Sequence, residues 1–210
     1  MKEISATFAD DSTRRRRVDS LQLGSPSLSV DDTLILATKA GDRSAFEGIY
    51  EAYFDRVYRY IVVRIGNPAD AEDLAADVFL KALEGLGAYQ VRGVPFSAWL
   101  FRIAHNLVVD HLRRRSRRPT TVLNDSLPLM QDAPDELVTL GLTIAEVMEA
   151  MHEITDLQRQ VIAMRFGADL SVAETAQAIK KKEGAVKALQ HSAIHALRRR
   201  LAQRGHTFAS

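Results

Sequence analysis

The chain has 210 residues, 46% hydrophobic and 26% charged, with a formal net charge of +1, which suits a soluble core of one large domain or two small ones. It has no cysteine, which excludes disulfides and thiolate metal sites and fits a cytoplasmic protein. No apolar run approaches the roughly 20 residues of a membrane span, and no secretory signal opens the chain, so no membrane insertion is expected.

With charge nearly balanced, affinity for a polyanion would have to come from its arrangement. Basic residues gather at 14–17, 113–118, 180–182 and 198–200, and acids at 70–77 and 132–136. Residues 1–30 are polar and rich in Ser, Asp and Arg, and read as a disordered extension. From Asp31 the pattern turns helical: Asp31 and Asp32 cap a short helix through Lys39, and Gly41-Asp42 breaks it. The next helix carries Phe46, Ile49, Tyr50, Tyr53, Phe54, Val57, Tyr58, Ile61 and Ile65 at three- and four-residue spacing, an aromatic stripe that belongs in a core. Gly66-Asn67-Pro68 stops it and starts another, with Asn67 as N-cap and Pro68 in first position.

On that third helix Ala71, Leu74, Ala75, Val78, Phe79, Ala82, Leu83 and Leu86 are expected to face inward. Asp70, Asp73, Asp77 and Glu84 form an acidic stripe with Glu72 beside it. First-turn acids are ordinary partners of the helix dipole, which accounts for Asp70, Glu72 and Asp73 but not for Asp77 and Glu84. A face for a basic partner protein is the alternative.

After a glycine-rich loop from Gly85 to Pro95 comes the most informative stretch. Phe96, Trp99, Leu100, Ile103, Ala104, Leu107, Val108 and Leu112 make an apolar spine. Arg102, Asn106, Asp110, Arg113 and Arg114 lie mostly on the opposite side, and five arginines crowd 113–118. Such a helix suits a polyanion laid along it. A solvated helix end complementing the macrodipole would explain two or three of those arginines.

Residues 119–134 lack a steady period and read as a linker. Beyond them a helix from about Asp135 to Met151 and a second, capped at Thr155-Asp156 and ended by Gly167, open another domain. Ser171 with Glu174 forms a capping box for a short helix over Val172–Ile179. A turn at Lys180–Lys182 then leads into a helix from Glu183 to about Leu201, a helix-turn-helix arrangement whose second helix would enter the major groove by its N-terminal residues.

No catalytic constellation is visible, so no enzyme and no cofactor are expected. His191 and His195 have the four-residue spacing of a metal pair but lack further ligands, and no metal site is expected. The glycines of 85–93 lack the strand–helix context of a phosphate loop.

Taken in order, Asp70-x-Glu72-Asp73-Leu74-x-x-Asp77-x-Phe79-Leu80 and Phe96-x-x-Trp99-Leu100-x-x-Ile103-Ala104-x-Asn106-x-x-x-Asp110-x-x-Arg113 resemble an extracytoplasmic-function sigma factor of bacterial RNA polymerase, of the sigma-70 family. Leu170-Ser171 followed by Gly184-x-Val186-Lys187, His191, Ala193 and Ala196-Leu197-Arg198 resembles that family's second domain. The resemblance covers about residues 40 to 201. It implies an all-α fold of two small helical domains, a sigma-2-like bundle at 31–118 and a sigma-4-like helix-turn-helix domain at 135–210, joined by the flexible linker 119–134.

It further implies that core polymerase docks through its largest subunit on Asp70, Glu72, Asp73, Asp77 and Phe79, with the second-largest subunit a further partner. Melted promoter DNA at the downstream box would lie on Phe96, Trp99, Arg102, Asn106, Asp110, Arg113 and Arg114, with the Gly87–Pro95 loop beside an extruded base. The upstream box would be read by Ser171, Lys180, Lys181, Lys182, Gly184, Lys187, Gln190 and His191, and an anti-sigma partner is implied as well. Lys180 stands where the family has a turn glycine, and Leu189, Ser192 and Ile194 where it often has arginines, so the lysine turn is expected to compensate on phosphates. A non-sigma helix-turn-helix regulator and a helical adaptor are the alternative readings.

Overall fold

The computed structural model describes residues 30–91, 93–117 and 144–204. The N-terminal extension with Arg14–Arg17, Arg92, Arg118, the 119–134 linker and the first turns of the 135–151 helix lie outside them. The described residues hold eight α-helices and no strand. They are α1 (Val30–Lys39), α2 (Arg43–Ile65), α3 (Pro68–Gly85), α4 (Phe96–Arg117), α5 (Ile144–His152), α6 (Asp156–Ile162), α7 (Val172–Ala178) and α8 (Glu183–Gln203). The all-α expectation holds.

The helix boundaries follow from local chemistry. Asp42 caps α2, its carboxylate accepting from the amides of Ser44 and Ala45. Gly66 ends α2 at φ 73°, a left-handed conformation that glycine adopts without steric cost. Asn67 caps α3 with Pro68 in its first turn. Asp31 and Asp32 sit inside the first turn of α1 instead of capping it, where they complement the helix dipole, and Asp31 accepts a hydrogen bond from the Tyr53 hydroxyl.

Helices α1 to α4 pack around Ile49, Tyr53, Val57, Tyr60, Ile61, Ala75, Val78, Phe79, Phe101 and Val108. Two expected core positions are corrected: Leu83 is 47% exposed and Tyr50 38% exposed. Leu83 shares the outward side of α3 with exposed Leu80, three residues earlier, whereas Ala82 stays buried on that helix and Leu86 in the short 3-10 turn Leu86–Ala88.

In the C-terminal part α6 runs into a wide π-turn at Ala163–Gly167, then α7 and α8 form the helix-turn-helix. Ser171 and Glu174 make the reciprocal capping box expected of them, and Thr155 with Gln158 makes another. Lys180 occupies the left-handed turn at φ 55°, a position that costs a non-glycine residue about 1 kcal/mol. Met164, Ala168, Leu170 and Ala178 belong to the same buried cluster as α1–α4, so the two helical groups pack against each other.

Candidate nucleic-acid interface

The acidic residues of α3 reach solvent unevenly. Glu72, Asp73 and Asp77 are exposed, while Asp70 is half-buried with its carboxylate 3.6 Å from Nε2 of His111 on α4. Phe79 departs from its expected docking role: it is 3% exposed and its ring lies 4.7 Å from that of Tyr50, centroid to centroid. It supports the stripe from beneath. Leu80 (56% exposed) and Leu83 are the apolar side chains beside the acids that a partner could touch.

On α4, Asn106, Asp110, Arg113 and Arg114 are exposed, Arg102 and Trp99 half-buried and Phe96 buried. Phe96 is a core residue, packed edge-on against Tyr53 and Tyr89, so it cannot reach DNA without unpacking. Trp99 lies against Tyr89 and over Gly85, where a Cβ would stand 3.3 Å from its ring. Not all the terminal arginines are available. Arg115 donates to the carbonyl of Ile65 at the end of α2, so it caps a helix, whereas Arg113 is 71% exposed and only loosely paired with Asp110 at 3.7 Å.

The loop before α4 is held by Tyr89, whose hydroxyl donates to the Val94 carbonyl at 2.9 Å and whose own carbonyl accepts from Lys39 Nζ at 2.7 Å. Beside it lies a cleft of about 340 Å³ bounded by Asp31, Asp32, Val91, Pro95, Ser97 and Glu174.

In the helix-turn-helix, Ser171, Lys180, Lys181, Lys182, Gly184, Lys187 and His191 are exposed. Ser171 Oγ is occupied by the capping box. Gln190 is half-buried and accepts from Arg165 Nε at 3.0 Å, which ties it to the π-turn instead of freeing it for a base. His191 and His195 meet edge-on with centroids 4.4 Å apart in an open cleft beside Glu153 and Arg199. Among the described residues no cluster suited to a metal ion occurs.

The sequence reading missed the residues that join the two helical groups. Arg56 and Arg59 of α2 donate to the carbonyls of Ala168 (2.8 Å) and Gly167 (3.0 Å), which end the α6 segment and would otherwise lack helical partners. Arg64, whose side chain is fully buried, donates to Asp156 Oδ1 at 2.7 Å, but its Nε and Nη2 have no hydrogen-bond partner. Desolvation pushes the Asp156 carboxyl up, yet the hydrogen bond and charge of Arg64 prevail and hold it below the usual carboxylate range. His105 of α4 accepts from Gln160 Nε2 at 2.8 Å, and burial together with the Arg64 charge holds its imidazole below its ordinary value. An arginine in a last helical turn reads in sequence as a dipole partner, so nothing local marked Arg64 as buried.

Comparisons with known proteins fit this arrangement. Sigma-70 region 2 matches residues 49–118 and sigma-70 region 4 matches residues 150–199. The sigma factor BldN of Streptomyces coelicolor is 38% identical over 170 residues, covering 80% of this chain and 64% of BldN, so the match spans less than two thirds of that relative. The sigma factor SigD of Mycobacterium bovis is 30% identical over 185 residues, covering 83% of this chain and 87% of SigD. Among solved structures, the sigma factor RpoE of Bartonella quintana, crystallised with the anti-sigma factor NepR, superposes with a TM-score of 0.63 at 20% identity, covering 75% of this chain and 96% of that one, a likeness of fold. Two matched regions in the family's order, on the helical scaffold that carries both, place the chain among the extracytoplasmic-function RNA polymerase sigma factors.

Proposed function

We propose that the chain binds core RNA polymerase, directs it to specific promoters and promotes opening of the duplex, without catalysing a reaction itself. The division of labour follows the two helical groups: residues 31–118 hold polymerase and the melted downstream box, residues 119–134 link, and residues 135–210 read the upstream box. Asp70, Glu72, Asp73 and Asp77 receive the largest subunit; the second-largest subunit and an anti-sigma factor are further partners. Trp99, Arg102, Asn106, Asp110, Arg113 and Arg114 face the melted strand. Ser171, the lysines of the turn, Gly184, Lys187 and His191 face the upstream duplex. The protein acts in the cytoplasm, and among the described residues no helix is long and apolar enough to cross a membrane.

The observation that carries this reading is the pairing of two opposite surfaces on one bundle. An exposed acidic stripe on α3 stands beside an α4 surface bearing exposed Asn106, Arg113 and Arg114. A regulator that binds duplex DNA alone has no use for the stripe, and an adaptor has none for the arginines. The test is capture of core polymerase by the full chain. Reversing Asp73 and Asp77 to Lys should abolish capture while helix content stays unchanged, and full retention by the double variant removes the stripe from this role.

A further inference from the structure

The helix α8 carries more basic side chains than base reading needs. Lys187, His191, His195 and Arg199 follow at every fourth residue and all four are exposed, so they form one ridge of the helix. Arg198 is exposed beside its far end. Lys187 lies near the N-terminus, where side chains reach base edges. At about 1.5 Å per residue the ridge runs about 18 Å from Lys187 to Arg199, beyond the roughly 12 Å width of a major groove. A duplex lying along it presents phosphates, not bases, to the far half.

That far half is also a shaped site. His191 and His195 meet edge-on, with ring centroids 4.4 Å apart, in a cleft of about 770 Å³ between α8 and the start of α6. Gln158 Nε2 donates to Ser192 Oγ at 2.8 Å across one side of it. Glu153 is the acid in its wall, and its carboxylate is already bound by Arg200 Nε at 3.1 Å and Arg204 Nη2 at 2.8 Å. An incoming group therefore meets two imidazoles and the Arg199 guanidinium, with the one lining carboxylate compensated.

We infer that His191, His195 and Arg199 clamp a phosphate of the DNA backbone flanking the upstream box, and that the clamp is proton-dependent. A neutral imidazole offers one N–H and no charge, an imidazolium two N–H groups and a positive charge. A phosphate set against the pair favours the charged form, so binding takes up protons and tightens as pH falls through the range where histidine titrates. Phosphate contacts carry no sequence information, so the effect is the same on every duplex. Continuity with Lys187 on one ridge favours DNA over an acidic protein as the occupant. The inference rests on the assignment of the helix-turn-helix to the upstream duplex.

The test is fluorescence anisotropy of the full chain on a short random-sequence duplex. Each proton taken up on binding is worth up to about tenfold in affinity per pH unit, so the parent should tighten about tenfold from about pH 8 to about pH 6. His191→Gln with His195→Gln, which keeps hydrogen bonding without titration, should lose most of that gain. Arg199→Ala should weaken binding at both pH values and lower the salt slope by about 1. All three positions are exposed, so helix content should stay that of the parent.

A double histidine variant as pH-dependent as the parent overturns the inference, and so does an unchanged salt slope in Arg199→Ala. Weaker capture of core polymerase by the double variant, with DNA binding unaltered, gives the ridge to an acidic protein and overturns it as well. Replacing Lys180, Lys181 and Lys182 with Ala separates the two levels. If that variant binds the duplex more weakly, the helix-turn-helix is a DNA surface and any failure belongs to the histidine clamp alone. If it binds as the parent does, the assignment of the helix-turn-helix fails and takes the inference with it.

Discussion

Phe79→Ala, set beside Leu80→Ala, separates support of the polymerase surface from contact with it. Phe79 is 3% exposed, with its ring 4.7 Å from that of Tyr50 and 6.3 Å from that of Phe54. Truncating a buried phenylalanine costs about 3–5 kcal/mol, from lost transfer free energy and the cavity left behind. Tyr50 is 38% exposed and can settle into part of that space, which favours the lower figure, about 3 kcal/mol. Against a total stability of about 5–15 kcal/mol this is a large loss, yet it leaves the bundle folded at low temperature. With a urea slope of about 2 kcal/mol per molar, the unfolding midpoint of the α1–α4 group should fall by about 1.5 M. Leu80 is 56% exposed, so its truncation should move the midpoint little and weaken capture of core polymerase instead. Denaturation followed by circular dichroism, with polymerase capture measured well below the midpoint, reads both effects. If Phe79→Ala leaves the midpoint unchanged and abolishes capture, Phe79 is a contact residue and its placement here is refuted.

Two further outcomes concern base reading and pH. Lys187→Ala should cost about 1–3 kcal/mol on the preferred upstream duplex and blur its sequence preference. Replacing Lys180, Lys181 and Lys182 together should weaken binding about equally on all sequences; the reverse pattern in a duplex titration would show that the recognition helix is misplaced. For pH, the group to follow is His105, which faces Arg64 and Tyr60 of α2, and Asp156 and Gln160 of α6. Its imidazole is held below the ordinary value in the folded chain, so above that value both states are neutral and nothing is lost. As pH falls through it the unfolded chain takes up the proton first, and stability declines. Asp156 has the same sign at lower pH: its stabilising contribution is present above the ordinary carboxylate value and is lost on acidification. Urea midpoints should therefore drop between neutral and mildly acidic pH, and His105→Gln should flatten that first step; an unchanged step in the variant would remove His105 from it.

Much of this protein was legible from side-chain order alone. Capping signals act over three or four residues, so Asn67-Pro68 and the Ser171/Glu174 box marked helix starts that the structure repeats. The left-handed conformation of Lys180 was not legible in its own side chain; only the family resemblance, which puts a turn glycine there, pointed to it. The acidic stripe on α3 and the arginine end of α4 were readable because charge on a helix face repeats at its period. Periodicity names a face without saying how much of it a neighbour covers. For that reason Leu83 was placed in a core it does not enter, whereas Phe79 and Phe96, which periodicity put on inward faces and packing buries, were assigned to partners only through the family resemblance. Gln190 was assigned to a base until Arg165, 25 residues away, took its oxygen.

The pairs that join the two helical groups lie beyond any local pattern, because they span 77 residues from Ser97 to Glu174 and 92 from Arg64 to Asp156. A sequence states which groups can donate and accept. Which donor meets which acceptor across the linker is decided when unfilled carbonyls at the end of one helix meet arginines on another, and that meeting exists only in three dimensions.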